Sequence, residues 1–263
     1  MERRILRAVP DSEASPPAPA TTEALAPPFS ELRWFTELDS TNRYLLDAAR
    51  AGEAAGIVAV ADHQTAGRGR LGRSWVAPPG ASLLMSVLLR PEVAPERRHV
   101  LVTTAGLAMA EAVEAATGVV AGLKWPNDLL VGDRKLAGIL AEATGDALVV
   151  GIGLNVEWHD VPSELTEIAT ACNLAGGRPT DRRALLDEFL VRYGARLGDL
   201  TDARRAYEAR LATIGRRVRV ERAADELTGV ARGVDDAGRL LLDVDGRTET
   251  VTVGDVVHLR AAD

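Results

Sequence analysis

Asp128-Leu129-Leu130-Val131-Gly132-Asp133-Arg134-Lys135-Leu136-Ala137-Gly138-Ile139-Leu140 reads as an apolar run, a Gly-Asp pair and a second run. A central pair of that kind fits a two-residue hairpin loop. Thr144-Gly145-Asp146 supplies another turn, and Ala147–Val156 is a third extended run containing Gly151-Ile152-Gly153-Leu154-Asn155. Extended runs joined by tight turns leave no room for crossover helices, so this stretch reads as an antiparallel meander and not as βαβ units. Upstream, Val119–Lys124 reads as a strand ending at Trp125-Pro126-Asn127-Asp128. Ala81–Arg90 alternates, with Leu83, Met85, Val87 and Leu89 on one face, and Ile57–Val60 reads as a buried strand. Between Ala81–Arg90 and Val119–Lys124, Arg98–Ala116 has the pattern of a helix, stopped by Gly118, whose alanines suit close packing on a sheet. The expected main domain is α+β, a mixed or antiparallel sheet flanked by helices.

Beyond the meander, residues 157–180 are polar and Pro/Gly-punctuated, a connector. Thr180 is the expected cap of a helix with Leu185, Leu186, Phe189, Leu190 and Tyr193 on one face, and a second helix runs from about Asp202 to Thr213. From Arg217 the period switches to short strands with turns at Asp235-Asp236-Ala237-Gly238 and Asp245-Gly246, which suggests a small C-terminal β-barrel. Residues 1–29 hold six of the thirteen prolines and are expected to be a disordered tail. The expected division is 1–29 tail, 30–214 catalytic domain and 215–263 barrel.

The chain has 263 residues, a formal net charge of −7, and 46 % hydrophobic residues. An acidic balance argues against general binding to nucleic acid or anionic membrane. Cys172 is the single cysteine, which excludes an intrachain disulfide and suits a reducing cytosol. No run approaches the ~18 apolar residues of a membrane span, and no apolar segment follows Met1-Glu2-Arg3-Arg4. A cytoplasmic protein is expected.

Gly67-Arg68-Gly69-Arg70-Leu71-Gly72-Arg73, with Trp75 two residues on, carries the chemistry. Three guanidinium groups this close repel one another, and an anionic ligand would relieve that cost. The glycines let backbone approach such a ligand. The segment satisfies G-x-G-x-x-G, but Pro78-Pro79-Gly80 stops the helix that the dinucleotide motif requires. Arg/Gly segments for single-stranded nucleic acid are usually long and repeated, and this one occurs once.

Two further patches accompany the loop. Asp39-Ser40-Thr41-Asn42 caps a helix through Tyr44, Leu45 and Leu46, and the same hydroxyls and amides can face a polar ligand group. Lys124, Asn127 and Asp128 combine positive charge with oxygens suited to Mg²⁺ carrying phosphate, and Lys135 lies across a hairpin from them. Cys172 has no histidine near it in sequence, and His63, His99, His159 and His258 lack metal-ligand spacing. A Walker A loop is absent. Positive charge and glycine backbone without a nucleophile suit phosphoryl or nucleotidyl transfer.

In this order, Asp39–Asn42, Gly67–Arg73 with Trp75, Lys124–Asp128, Lys135–Leu140 and Gly151–Asn155 resemble biotin protein ligases over about residues 35–260. The resemblance implies a class II synthetase-like catalytic domain plus a small C-terminal β-barrel. It implies that biotin and MgATP give biotinyl-5′-AMP and pyrophosphate, and that a lysine of a biotin carboxyl carrier domain then takes the biotin. The partner would be the carrier domain of an acetyl/acyl-CoA or pyruvate carboxylase, and the enzyme a monomer or weak homodimer. Ser40, Thr41, Asn42 and Gln64 would surround biotin, chiefly its ureido ring, with Gly67, Arg68, Gly69, Gly138 and Gly153 completing the site. Arg68, Gly69 and Arg70 would cover the adenylate, with Arg70 and Lys135 catalytic. Arg73, Lys124, Asn127 and Asn155 would address the nucleotide, Asp128 and Asn155 magnesium, and Trp75 adenine. Some family members carry an N-terminal winged helix-turn-helix; the Pro-rich start implies a ligase without DNA binding. Two alternatives remain: a lipoate or octanoate ligase of the same architecture, and a non-enzymatic RNA binder using the Arg/Gly loop, whose binding would depend on salt.

Overall fold

The structure, a computed structural model, describes residues 18–159, 161, 165–222, 225–252 and 254–258. The main sheet has eight strands: β1 (Thr21–Ala24), β2 (Glu31–Leu38), β3 (Ile57–Gln64), β4 (Ser82–Leu89), β5 (Gly122–Lys124), β6 (Asp128–Val131), β7 (Arg134–Thr144) and β8 (Ala147–Asn155). Their order is β1-β2-β3-β4-β8-β7-β6-β5. β2 and β3 are parallel, joined through α1 (Thr41–Arg50), and the meander β5 to β8 is antiparallel. The sheet is therefore mixed.

Every residue of β4 is buried, because both faces of the sheet are covered. α1 packs on one face against Phe35, Ile57, Leu88 and Val149. The other face meets α2 (His99–Thr117) and α3 (Arg182–Gly198) through Leu83, Met85, Val87, Ala105 and Phe189. Gly106 of α2 lies so close to the sheet that a Cβ there would come within 3.1 Å of Ile139. By length and composition Pro95–Thr117 would pass for a membrane span, against the expectation of no such run, but it is 72 % buried inside the fold. It is the core helix.

Some boundaries differ from expectation for local reasons. Thr21–Ala24, expected in the tail, is a strand: it pairs with β2, and Glu23 holds Arg183 of α3 at 2.7 Å. The first seventeen residues of the expected tail lie outside the described residues. Asp181, not Thr180, caps α3, its carboxylate accepting from Ala184 N at 2.7 Å. α4 (Ala203–Arg210) stops short of Thr213 because Leu211 bridges to Leu123 at the sheet edge.

The C-terminal strands β9 (Arg217–Glu221), β10 (Glu226–Val234), β11 (Leu240–Val244), β12 (Arg247–Val251) and β13 (Asp255–His258) form an antiparallel sheet in the order β12-β11-β10-β9-β13. Val218, Val220, Ala231, Leu240, Leu242 and Val256 merge into the main core, so the two sheets share one apolar seam. Trp125 pins the seam, its indole N–H donating to Gly238 O at 2.9 Å. Gly238 has φ 76°, and a Cβ there would come within 2.2 Å of the His99 ring.

That seam is acid-sensitive. Burial, then the Arg70 guanidinium, pushes His99 down to about 4 against a weaker opposing pull from Asp235. Burial, then Lys124 and Arg216, pushes His258 to about 4. Both rings fold neutral, so the unfolded chain binds the extra protons. The stabilisation is full above the ordinary histidine pKa of ~6.5 and is lost as pH falls toward about 4. For His99 this amounts to up to ~3 kcal/mol. Thermal unfolding should show a midpoint falling steeply between about pH 6.5 and 4.5. A His99→Gln variant should show a shallower decline, and an identical slope would refute the assignment.

Candidate active site

The closed end of a cleft is built on the first turn of α1. Ser40 is the N-cap, in extended conformation, and Ser40, Thr41 and Asn42 are buried. Thr41 donates from N and Oγ1 to Gln64 Oε1 at 2.7 and 3.1 Å. Ser86 on β4 places its hydroxyl 2.7 Å from that of Thr41 and 2.6 Å from Asn42 Oδ1. Asn42 Nδ2 donates to Leu140 O at 3.1 Å and to Glu142 Oε2 at 2.8 Å. A Cβ on Gly151 would lie 2.0 Å from Asn42 Oδ1, so only glycine leaves room for this carboxamide. The hydroxyls and carboxamides facing the cleft here are neutral, with well-defined donors and acceptors.

The Arg/Gly loop closes the other side by folding on itself. Trp75 N donates to Gly67 O at 2.9 Å, Gly69 N donates to Arg73 O at 2.6 Å, and Arg68 bridges Ser74. The tip is a 3₁₀ turn, Arg70–Gly72, with Leu71 at φ 55° and Gly72 at φ 73°. Protein carboxylates, not only a ligand, remove the guanidinium repulsion that sequence alone predicts. Arg68 pairs with Glu142 at 2.8 Å. Arg73 pairs with Asp255 of β13. Arg70 donates to Asn127 Oδ1 at 3.3 Å and Gly254 O at 3.4 Å, with Asp255 at 3.6 Å. Lys135 meets Asp128 at 2.7 Å. Burial, then the neighbouring cations Lys135 and Arg73, lowers the Lys124 ammonium, while Asp128 and Asp255 oppose them. Burial also lowers Arg70, against the pull of Asp255 and Asp128.

Ser40, Thr41, Asn42, Gln64, Arg68, Gly69, Arg70, Arg73, Trp75, Asn127, Asp128, Lys135, Gly138 and Gly153 all line this cleft. Trp75 lies on the glycine floor: a Cβ at Gly153 would come within 2.5 Å of its ring, and one at Gly138 within 2.9 Å. Lys135 Nζ sits 5.4 Å from its ring centre. Gly67 stands back from the wall and serves the hairpin, where a Cβ would strike Trp75 O at 2.4 Å. Lys124 is likewise outside the wall, paired in register with Asp128. Asn155 does not join them: it is buried, donating to Thr170 O at 2.9 Å and accepting from Ser82 at 3.5 Å. Cys172 is buried and its thiol pushed up to about 12, which removes it as a nucleophile.

Asp255, Glu142, Ser86 and Gly151 belong to the site although sequence alone did not single out their roles. Ser86 left a signal, a polar residue inside the apolar run Leu83–Leu89. Glu142 left one too, next after Gly138 and Leu140 on the same side of the strand alternation. Asp255 left none, since it comes from the other sheet.

Among the described residues no group of three or more His, Cys, Asp or Glu is placed to hold a metal ion. Asp128 at the rim fits a single oxygen contact to a cation carried by phosphates, the usual magnesium arrangement.

Residues 34–157 match the model of the biotin/lipoate A/B protein ligase family, and residues 213–259 that of the biotin protein ligase C terminal domain. The chain is 43 % identical to the biotin–acetyl-CoA-carboxylase ligase of Mycobacterium tuberculosis, covering 84 % of this chain and 86 % of the relative. It is 32 % identical to the bifunctional ligase/repressor BirA of Bacillus subtilis, covering 83 % of this chain and 71 % of that protein. Among solved structures, the biotin protein ligase from Aquifex aeolicus in complex with biotin and ATP superposes with a TM-score of 0.77 at 30 % identity, covering 88 % and 99 % of the two chains.

Proposed function

We infer that this chain, which belongs to the biotin protein ligase family, is an ATP-dependent ligase that activates biotin and transfers it to a lysine of a carboxylase's biotin carrier domain. The observation that carries the site assignment is a polarity gradient in one cleft. Neutral donors and acceptors from Thr41, Asn42 and Gln64 lie at one end, backed by Ser86 and flanked by the mutually paired Arg68 and Glu142, and Arg70, Arg73 and Lys135 lie at the other. A ureido ring offers N–H and C=O groups to the first set, and a carboxylate and phosphates suit the second. Between them, Gly138, Gly153, Ile152 and Met85 leave an apolar channel for an aliphatic chain once Trp75 slides aside.

In the first step a biotin carboxylate oxygen bonds to the α-phosphorus of ATP and the bond to pyrophosphate breaks. Two anions meet, and Lys135 and Arg70, exchanging Asp128 and Asp255 for the ligand, offset the repulsion and the developing charge. Lys124 adds positive charge behind Asp128. Magnesium would be held at Asp128 and, when bound, would screen the phosphate oxygens. In the second step the neutral amine of the carrier lysine attacks the acyl carbon, AMP leaves, and the amine gives up a proton. The loop keeps water from the anhydride in the interval. Cys172, a lone buried thiol, suits the reducing cytosol in which we place the reaction.

A dithiolane ring has no hydrogen-bonding groups, so lipoate would leave the polar end unsatisfied, at about 1–3 kcal/mol for each buried group. An RNA track would need open cations, whereas those of the loop are paired. The test is exchange of labelled pyrophosphate into ATP. Exchange should require biotin, and lipoate should not replace it; exchange with lipoate, or with neither, would overturn the reading. Gly151→Ala should weaken biotin about 10- to 100-fold in calorimetry, since Asn42 has to leave its three partners. Unchanged affinity would remove Asn42 from the site.

A further inference from the structure

We propose that Glu142 is a positioning residue that fixes the hydrogen-bonding sense of the biotin end and fastens the loop to it; this rests on the ligase reading above. Along β7, Ala137, Ile139 and Ala141 face the core. By alternation Gly138, Leu140 and Glu142 share the opposite face, and Gly138 and Leu140 line the cleft. Glu142 thus stands beside the cleft, its side chain 26 % exposed.

One oxygen serves two partners. Glu142 Oε2 accepts from Asn42 Nδ2 at 2.8 Å and faces Arg68 Nη2 at 2.8 Å. Leu140 O takes the other Asn42 N–H at 3.1 Å. Two acceptors on the same side oblige the carboxamide to present Nδ2 to them and Oδ1 to Ser86, 2.6 Å away. Both N–H groups are committed, so Asn42 can offer a ligand only its remaining Oδ1 lone pair. It therefore recognises an N–H donor and cannot serve a carbonyl. Without the carboxylate one N–H loses its acceptor, the amide is free to turn, and Arg68 loses its charge partner. Glu142 touches neither reacting atom; it acts through Asn42 and Arg68.

The two functions separate by substitution. Glu142→Gln keeps an acceptor for Asn42 but loses the charge facing Arg68, and Glu142→Ala loses both. Glu142→Ala should raise the biotin KM about tenfold with the ATP KM unchanged. Glu142→Gln should leave the biotin KM within about twofold. In both, preformed biotinyl-adenylate should be lost several-fold faster in a chase. Wild-type values of all three quantities in both variants would overturn the proposal. So would a parallel rise of biotin and ATP KM with a lowered Tm, the sign of a merely structural role. Failure of the wild-type protein to exchange pyrophosphate with biotin would defeat the ligase reading itself, whereas normal exchange with wild-type-like variants would defeat only the role of Glu142.

Discussion

Arg70→Gly should release biotinyl-5′-AMP about 10- to 100-fold faster than the wild type and label lysines of bystander proteins. Arg70 ties the loop to two parts of the molecule at once. Its guanidinium reaches Asn127 just before β6, Gly254 O and Asp255 at the start of β13, while its backbone opens the 3₁₀ turn. Glycine removes those contacts and frees the backbone at the loop tip. The mixed anhydride, once outside, acylates any accessible amine. Adenylation should suffer less than retention, because Lys135, the other cation proposed for the first step, is left in place beside Asp128. Retention of labelled adenylate on a desalting column and biotinylation of added serum albumin would measure the two effects. Wild-type retention together with strict carrier selectivity would show that Arg70 does not close the site.

Lys135→Met should lower biotin-dependent pyrophosphate exchange by about 10²- to 10³-fold, the scale expected when one charge-stabilising donor is removed. The backbone at 135 is held independently of the side chain: its N–H donates to Ile168 O and its carbonyl accepts from Thr170 N, each at 2.8 Å. Methionine keeps the stem in place and removes only the charge. Asp128, at 2.7 Å in the parent, would then lack its counter-ion and repel incoming phosphates, which adds to the loss. Biotin binding without ATP should fall far less, since the reading proposed above puts the ureido end with Asn42 and Thr41. Exchange within threefold of wild type would remove Lys135 from the chemistry.

The meander was legible because strand alternation and Gly-containing turns are local properties, and the register Gly138↔Gly153 and Leu140↔Gly151 follows from them. The Ser40 cap was equally local. What could not be read was partner choice across the chain. Arg73 meets a carboxylate 182 positions later, Asp255, because the C-terminal sheet folds back along the apolar seam with α2 and Trp125. No periodicity encodes that return. Asn155 shows the same limit: its type and strand-end position are local, but that its amide donates to Thr170 O and its carbonyl accepts from Cys172 N depends on the return of the Ala169–Cys172 segment.

Trp75 lying on Gly138 and Gly153, with an ammonium 5.4 Å from its ring, makes the cleft its own optical reporter. An arriving molecule has to lift that indole off the floor and change its surroundings, so emission should shift with occupancy. Trp125 and Trp158, enclosed in the interior, would contribute a constant background. A titration would then follow filling of the pocket in real time with no label, and phenylalanine at 75 should silence the signal.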